Sequence, residues 1–215
     1  MSIDLHYAAT SAPCRAVLLT AEAIGISLNL MPINMAIGER LKPEIIQINP
    51  QRTVPFIVDG DYKLSESRAI MSYLTDQYGK NPRLYPQNQM ARALVNHRLH
   101  FDIGTLYKSM KYYYYPVIFN GATEYDEQYY KELEHAFDVL DMFLDGQDYA
   151  AGRNLTIADL SLVATVSTIE VFGFDVQRYS NVARWLEKIK SSAPGYRMAN
   201  GEGIQIIKSI LESNT

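Results

Sequence analysis

The sequence predicts a mixed α/β unit followed by an all-helical unit. Three observations carry that expectation: strand-like and helix-like segments alternate over residues 1–80, the run Gly79 to Gln89 has no period and is rich in Gly, Asn, Pro and Gln, and every later segment repeats its apolar residues at helical spacing. The expected units are therefore 1–80 and 89–215.

In the first unit, Ile3 to Tyr7 reads as a strand and Pro13 suits the opening turn of a helix, where its missing N–H costs nothing. Ala16, Leu19, Ala23 and Ile26 continue that helix at its own period, with Gly25 near its end. Leu28 to Met31 is a second strand, Leu41 to Ile48 a weaker helix with Pro43 in its first turn, and Asn49-Pro50 a break. Phe56 to Val58 and Tyr62 to Leu64 form a hairpin around Asp59-Gly60. A helix opened by Ser65 or Glu66 carries Ile70, Tyr73, Leu74 and Tyr78 on one face. The β-α-β start implies a right-handed crossover between parallel strands, and the later hairpin makes the sheet mixed.

In the second unit, Leu99, Asp102, Leu106 and Met110 share a stripe of the first long helix. Tyr129, Leu133, Ala136, Phe137, Leu140 and Leu144 define a second, Thr156 to Phe172 an apolar and therefore central third, and 182–191 and 204–211 two more.

Composition narrows the function. The 215 residues carry a net charge of −4, with 47% hydrophobic and 20% charged residues, which gives nucleic acid no electrostatic footing. No apolar run approaches the ~18 residues of a membrane helix. Met1 to His6 lacks a basic segment leading into an apolar one, which predicts no secretory signal and a cytoplasmic location. One cysteine, Cys14, excludes an intrachain disulfide. The histidines and Cys14 lack metal-ligand spacing, so no metal site is expected. Sixteen tyrosines, four of them consecutive from Tyr112 to Tyr115, suit either packing or a wall for an apolar ligand.

Several residues are candidates for chemistry. Ser11, where strand meets helix, is either an N-cap or a hydroxyl placed beside an anion at the positive end of a helix dipole. A thiol bound there would be favoured as thiolate. Cys14, about one turn further on, is a rival nucleophile or a small buried hydrophobe. Val54-Pro55 enters what should be an inner strand. A cis bond would turn the chain there and expose the Val54 backbone to an extended peptide ligand, while the plain alternative is an edge strand. Ser65-Glu66-Ser67 either caps a helix or receives an α-amino acid, with helix N–H groups for its carboxylate and Glu66 for its ammonium. Asp102 is either buried against a partner such as Arg68 or wet at the stripe's edge. Thr156 and Asp159 read as a capping box flanked by Leu155 and Leu160, which accounts for the Asn154-Leu155-Thr156 sequon in folding terms.

Four segments carry a resemblance: Ser11 to Arg15, Asn49 to Pro55, Glu66 to Ile70 and Leu155 to Asp159. In this order they resemble the soluble glutathione transferases over essentially the whole chain. Serine in the activating role, with Asp102 in the first long helix, is most similar to the insect delta class. The resemblance implies a thioredoxin-like N-terminal domain, a helical C-terminal domain and a homodimer. It implies a cis Val54-Pro55 bond and Val54 pairing with the cysteinyl part of glutathione. Thr53 and Pro55 belong to the same glutathione-binding segment, and Glu66 and Ser67 hold the γ-glutamyl part. Arg68 and Asp102 form a supporting charge network. Tyr107, Met110, Tyr115, Ile118 and Phe119 match positions lining the electrophile pocket.

Two departures bear on the glycyl end of glutathione. Arg40 and Arg52 stand where the class usually has histidine, and both positions face that carboxylate in the family. Arginine is always charged and binds carboxylates with two parallel hydrogen bonds, so the function should survive with altered affinity. Met110 replaces a common aromatic, which implies a more adaptable pocket.

The expected activity is transfer of the glutathione thiolate, stabilised by Ser11, to small hydrophobic electrophiles, as in detoxification. No cofactor is expected beyond glutathione as co-substrate. The alternatives are a non-catalytic ligand carrier and a glutathione-dependent peroxidase, dehydrochlorinase or isomerase on the same fold.

Overall fold

The computed structural model describes residues 2–213. Met1, Asn214 and Thr215, which the sequence reading assigns to the two terminal units, lie outside the described residues.

Strand β1 (Ile3–Tyr7) pairs in parallel with β2 (Leu28–Pro32) and antiparallel with β3 (Phe56–Asp59), which pairs antiparallel with β4 (Tyr62–Ser65). The order is β2-β1-β3-β4, a mixed sheet as expected. Leu5, fully buried, faces Leu30 on one side and Ile57 on the other. The β3–β4 loop places Gly60 at φ 60, the left-handed conformation that a two-residue hairpin requires.

Helix α1 (Ala12–Ile24) supplies the β1–β2 crossover. Pro13 stands in its first turn. Gly25, at φ 74, ends the helix by donating its N–H to the Ala21 and Glu22 carbonyls. A 3-10 turn (Glu39–Leu41) and short α2 (Pro43–Ile48) lead to β3, and α3 (Ser67–Tyr78) closes the unit with Ile70, Met71 and Leu74 buried.

The helical part holds α4 (Gln89–Phe101), α5 (Tyr107–Asn120), α6 (Glu127–Phe143), α7 (Ile157–Val171), α8 (Ser180–Ser192) and α9 (Glu202–Ser213). Helix α7 is central: every residue from Ile157 to Ile169 is buried. Its start is the capping box anticipated from sequence. Thr156 donates N–H and hydroxyl to Asp159, whose other oxygen receives the Ala150 N–H and Trp185 Nε1. Burial pushes the Asp159 carboxyl up, and these donors oppose the shift.

One expectation changes. The first long helix is not continuous. Asp102–Leu106 forms a widened π turn between α4 and α5. Asp102 and Leu106 are both fully buried in this turn, while Gly104 and Thr105 are exposed. Arg197–Gly201 forms a second π turn ahead of α9. Helix α1 packs against both α3 and α7, so the sheet unit and the helices share one core.

Candidate active site

Ser11 occupies the N-cap position of α1 with extended backbone, and its hydroxyl makes no capping bond. The helix start is therefore open to another acceptor, with the dipole's positive end beside it. Cys14 is 0% exposed and accepts the Ala8 N–H through sulfur. Burial pushes its thiol up to about 11, an effect only partly offset by the Ser11 hydroxyl and Ala8 N–H. A thiol so placed is a poor nucleophile at neutral pH.

The second helix start behaves similarly. Glu66 is the N-cap of α3, at φ 70, and its carboxylate makes no capping bond. A left-handed backbone costs a non-glycine residue roughly 1–3 kcal/mol, and such strain clusters at ligand sites. The side chain is held from outside the helix. Gln51 donates Nε2 to Glu66 Oε1 at 3.0 Å and accepts the Ser65 hydroxyl at 2.6 Å. Ser67 is buried and receives Arg68 Nη1 at 2.8 Å.

Arg68 Nη2 also pairs with Asp102, which is 0% exposed in the first π turn, and Ser161 of α7 donates its hydroxyl to the same carboxylate oxygen. Of the two sequence alternatives for Asp102, burial with a partner is the one observed. Arg68 Nε and Asp102 Oδ1 find no partner among the described residues, an unusual condition for buried polar atoms.

Between the two helix starts runs the segment entering β3. Buried Asn49 pins it, donating to the Thr53 carbonyl at 2.8 Å and accepting the Gln51 N–H at 3.1 Å. The Val54-Pro55 bond is cis, and β3 is an inner strand. Arg52 is exposed at φ 58, and Arg40 rests Nη1 on the Met35 carbonyl.

From the helical side, α5 adds an aromatic wall. The Tyr107 ring lies under the Arg68 guanidinium, 5.8 Å from its centroid, and its hydroxyl interacts with that of Tyr115. Burial pushes both phenols above their usual range. Tyr115 packs edge-on against Phe119, which is half exposed, and Ile118 is half-buried. Met110 differs from these: it is 0% exposed and lies in the core behind the wall. Tyr107 thus lies against Arg68, and the Tyr107 and Tyr115 phenols are both near enough to Cys14 in the first turn of α1 to feel its charge.

Sequence reading missed four contributors. Gln51 and Ser161 carry no motif of their own. Phe172, which contacts Tyr114, Tyr115 and Phe119, was visible only as the last residue of an apolar helix. Arg15 carries no signal beyond its place in the segment Ser11 to Arg15.

Comparison with known proteins identifies both domains. Residues 5–82 match the family model described as Glutathione S-transferase, N-terminal domain, and residues 98–193 match Glutathione S-transferase, C-terminal domain. A delta-class glutathione transferase of Nilaparvata lugens is 48% identical, with a TM-score of 0.95 over 99% of this chain and 100% of that one. The Bombyx mori glutathione transferase BmGSTD1 is 39% identical, with a TM-score of 0.94 and 98% coverage of both chains. A glutathione transferase homolog of Drosophila mojavensis, solved with bound glutathione, is 32% identical, with a TM-score of 0.91 over 99% of this chain and 97% of that one. A thioredoxin-like domain joined to a helical domain, with these family matches over both, defines a glutathione-conjugating enzyme. The chain belongs to the glutathione transferase family and is most like its delta class.

Proposed function

We propose that this transferase activates glutathione through Ser11 and passes the thiolate to small hydrophobic electrophiles. The observation that carries the reading is a serine hydroxyl at the N-terminus of α1 that does not cap its own helix. It donates a hydrogen bond to the sulfur, the helix dipole favours the anion, and the thiol proton leaves to solvent. The sulfur then attacks the electrophilic carbon, and the leaving group departs with its bonding pair.

The remaining residues divide by the part of glutathione they meet. Val54 pairs with the cysteinyl segment through its backbone, and Thr53 and Pro55 flank it in the same glutathione-binding segment. Glu66 and Ser67 take the γ-glutamyl ammonium and carboxylate, with Arg68 and Asp102 fixing that corner. Arg40 and Arg52 face the glycyl carboxylate. Tyr107, Tyr115, Ile118 and Phe119 form the electrophile wall, with Met110 as its deformable backing. Glutathione binding falls to residues 1–80 and electrophile binding to 89–215.

A homodimer fits the surface of α4, where Met90 (84% exposed), Leu94, His97 and Phe101 recur along one stripe. No helix among the described residues is long and apolar enough to cross a membrane. With its one cysteine buried, the chain fits a cytoplasmic enzyme.

Titration of the thiol in the glutathione complex tests the central step. Removing one hydrogen bond to a charged group costs about 1.5–3 kcal/mol, so Ser11→Ala should raise the bound thiol's pKa by about one to two units and cut turnover at neutral pH. An unchanged pH–rate profile in that variant would sink the Ser11 assignment. Glutathione binding without conjugation of any aromatic halide in the parent would favour a carrier.

A further inference from the structure

Arg15 is 0% exposed, and every acceptor it meets is neutral. Nε donates to Asn200 Oδ1 at 2.8 Å. Nη1 donates to the carbonyls of Thr10 at 2.8 Å and Ala9 at 3.3 Å. Nη2 donates to the Ala164 carbonyl at 3.2 Å and to the Thr168 hydroxyl. The ionisable groups it feels are Tyr115, Cys14, Tyr196 and Tyr107, all uncharged at neutral pH, and no carboxylate among the described residues pairs with it. Burial lowers its pKa to about 10, so it stays charged under physiological conditions. An uncompensated buried charge is costly and calls for a reason.

Its location supplies one. The Thr10 carbonyl belongs to the peptide unit whose nitrogen is that of Ser11, so the guanidinium grips the turn leading directly into the hydroxyl. The backbone N–H of Arg15 also closes the first helical turn on the Ser11 carbonyl at 3.0 Å. Helix α9 presses on the same place: a Cβ on Gly203 would lie 2.3 Å from the Ala9 carbonyl oxygen and 2.6 Å from Arg15 Cδ. Asn200, in the second π turn, orients the guanidinium and is itself held by donating to Ser167 Oγ at 3.0 Å.

We propose that Arg15 is a positioning residue for thiolate formation: it fixes the Ala9–Ser11 turn and keeps a permanent positive charge behind Ser11 that favours the ionised sulfur of bound glutathione. The inference rests on the reading of Ser11 given above. Hydrogen bonding alone would be satisfied by neutral donors, whereas the charge has an anion to answer only when the thiolate forms.

Asn200→Asp separates charge from scaffolding. It keeps an acceptor for Nε and adds the missing carboxylate, so a purely structural Arg15 would be held at least as firmly. The thiol pKa of the glutathione complex is read by ultraviolet titration, with melting temperature and S-methylglutathione binding as checks on assembly. The expected result is an upward shift of about one unit without loss of melting temperature, and a smaller shift in Asn200→Ala. A bound thiol in Asn200→Asp that titrates as in the parent overturns the proposal. Should Asn200→Asp fail to bind S-methylglutathione, Arg15→Gln decides by the same titration: a raised thiol pKa supports the role and an unchanged one overturns it. Ser11→Ala run alongside distinguishes the two readings. If it leaves the thiol pKa unmoved, the Ser11 assignment fails; if it moves the pKa and Asn200→Asp does not, only the role of Arg15 fails.

Discussion

Ser161 donates its hydroxyl to Asp102 across 59 positions of sequence, on the same carboxylate oxygen that Arg68 engages. A helix from the central core thereby sets the side chain that holds the entrance of α3.

Breaking this junction at either end should have different costs. Ser161→Ala removes one neutral donor from a carboxylate that keeps its arginine, a loss of about 1–2 kcal/mol. It should raise KM for glutathione a few-fold and leave kcat nearly unchanged. Asp102→Ala strands the Arg68 side chain, only 11% exposed, without its counter-charge. Removing one partner of a buried pair costs about 3–5 kcal/mol, which for a chain of this size lowers Tm by about 10 °C. Thermal melts and steady-state kinetics on both variants decide; equal effects would mean that the two donors are not ranked this way.

Gln51 is expected to act on glutathione affinity rather than on turnover. Its amide holds Glu66 from one side and Ser65 from the other, outside the helix that Glu66 opens. Gln51→Ala frees the carboxylate to rotate. Because the bond is exposed, its net worth is about 0.5–1 kcal/mol, or about a threefold rise in KM for glutathione. A fall in kcat at unchanged KM would place Gln51 in the chemical step instead.

Cys14 predicts both a silence and a pH dependence. With its thiol raised by burial from about 9 to about 11, it should resist iodoacetamide at pH 8 in the folded protein and react freely in denaturant. Between those two values the native state holds a proton that the unfolded chain has released. Stability is therefore fully present below pH 9 and declines as pH rises towards 11. Urea titrations across that range on the parent and on Cys14→Ala would show it: the alanine variant should lose part of the decline while retaining transfer activity. Rapid alkylation of the native protein would contradict the burial assignment.

Two glycines make a matched pair. A methyl group at Gly203 would collide with backbone at Ala9, whereas one at Gly25 meets open space but a φ of 74. Gly203→Ala should cost about 1–3 kcal/mol by overpacking and also lower kcat/KM, because the displaced turn carries Ser11. Gly25→Ala should cost about 1 kcal/mol through backbone strain alone, with kcat/KM unchanged. Loss of activity in the Gly25 variant only would reverse the reasoning.

Much of the molecule was legible from residue types because local and tertiary demands agree. The alternation at Ile3–Tyr7, the stripe on α6 and the capping box at Thr156 and Asp159 each satisfy propensity, burial and hydrogen bonding together. The two helix-opening serine segments were readable as alternatives because an N-terminus serves a cap and an anion by the same N–H groups. What escaped were partners supplied from far along the chain. Ser161 looks like any serine in an apolar helix until α7 meets Asp102, and Arg15 looks like a surface cation until Asn200 and Thr168 close over it, 185 and 153 positions away. The π turns escaped for another reason: their spacing differs from an ordinary helix by a single residue, and stripes tolerate that error.

That single residue acts as a phase setting. Each helical residue advances the face by about 100°, so one residue more or less upstream of Tyr107 rotates the whole of α5 by that amount. Shortening the widened turn at Asp102–Leu106 by one residue would swing Tyr115 and Phe119 off the crevice and turn neighbouring side chains in their place, and it would also carry the Tyr107 ring away from Arg68. Deletion of Gly104, scored by electrophile range and glutathione affinity separately, would show whether the pocket is tuned by angle as much as by side-chain identity. In such a design, selectivity changes by re-indexing a helix as well as by replacing the residues it displays.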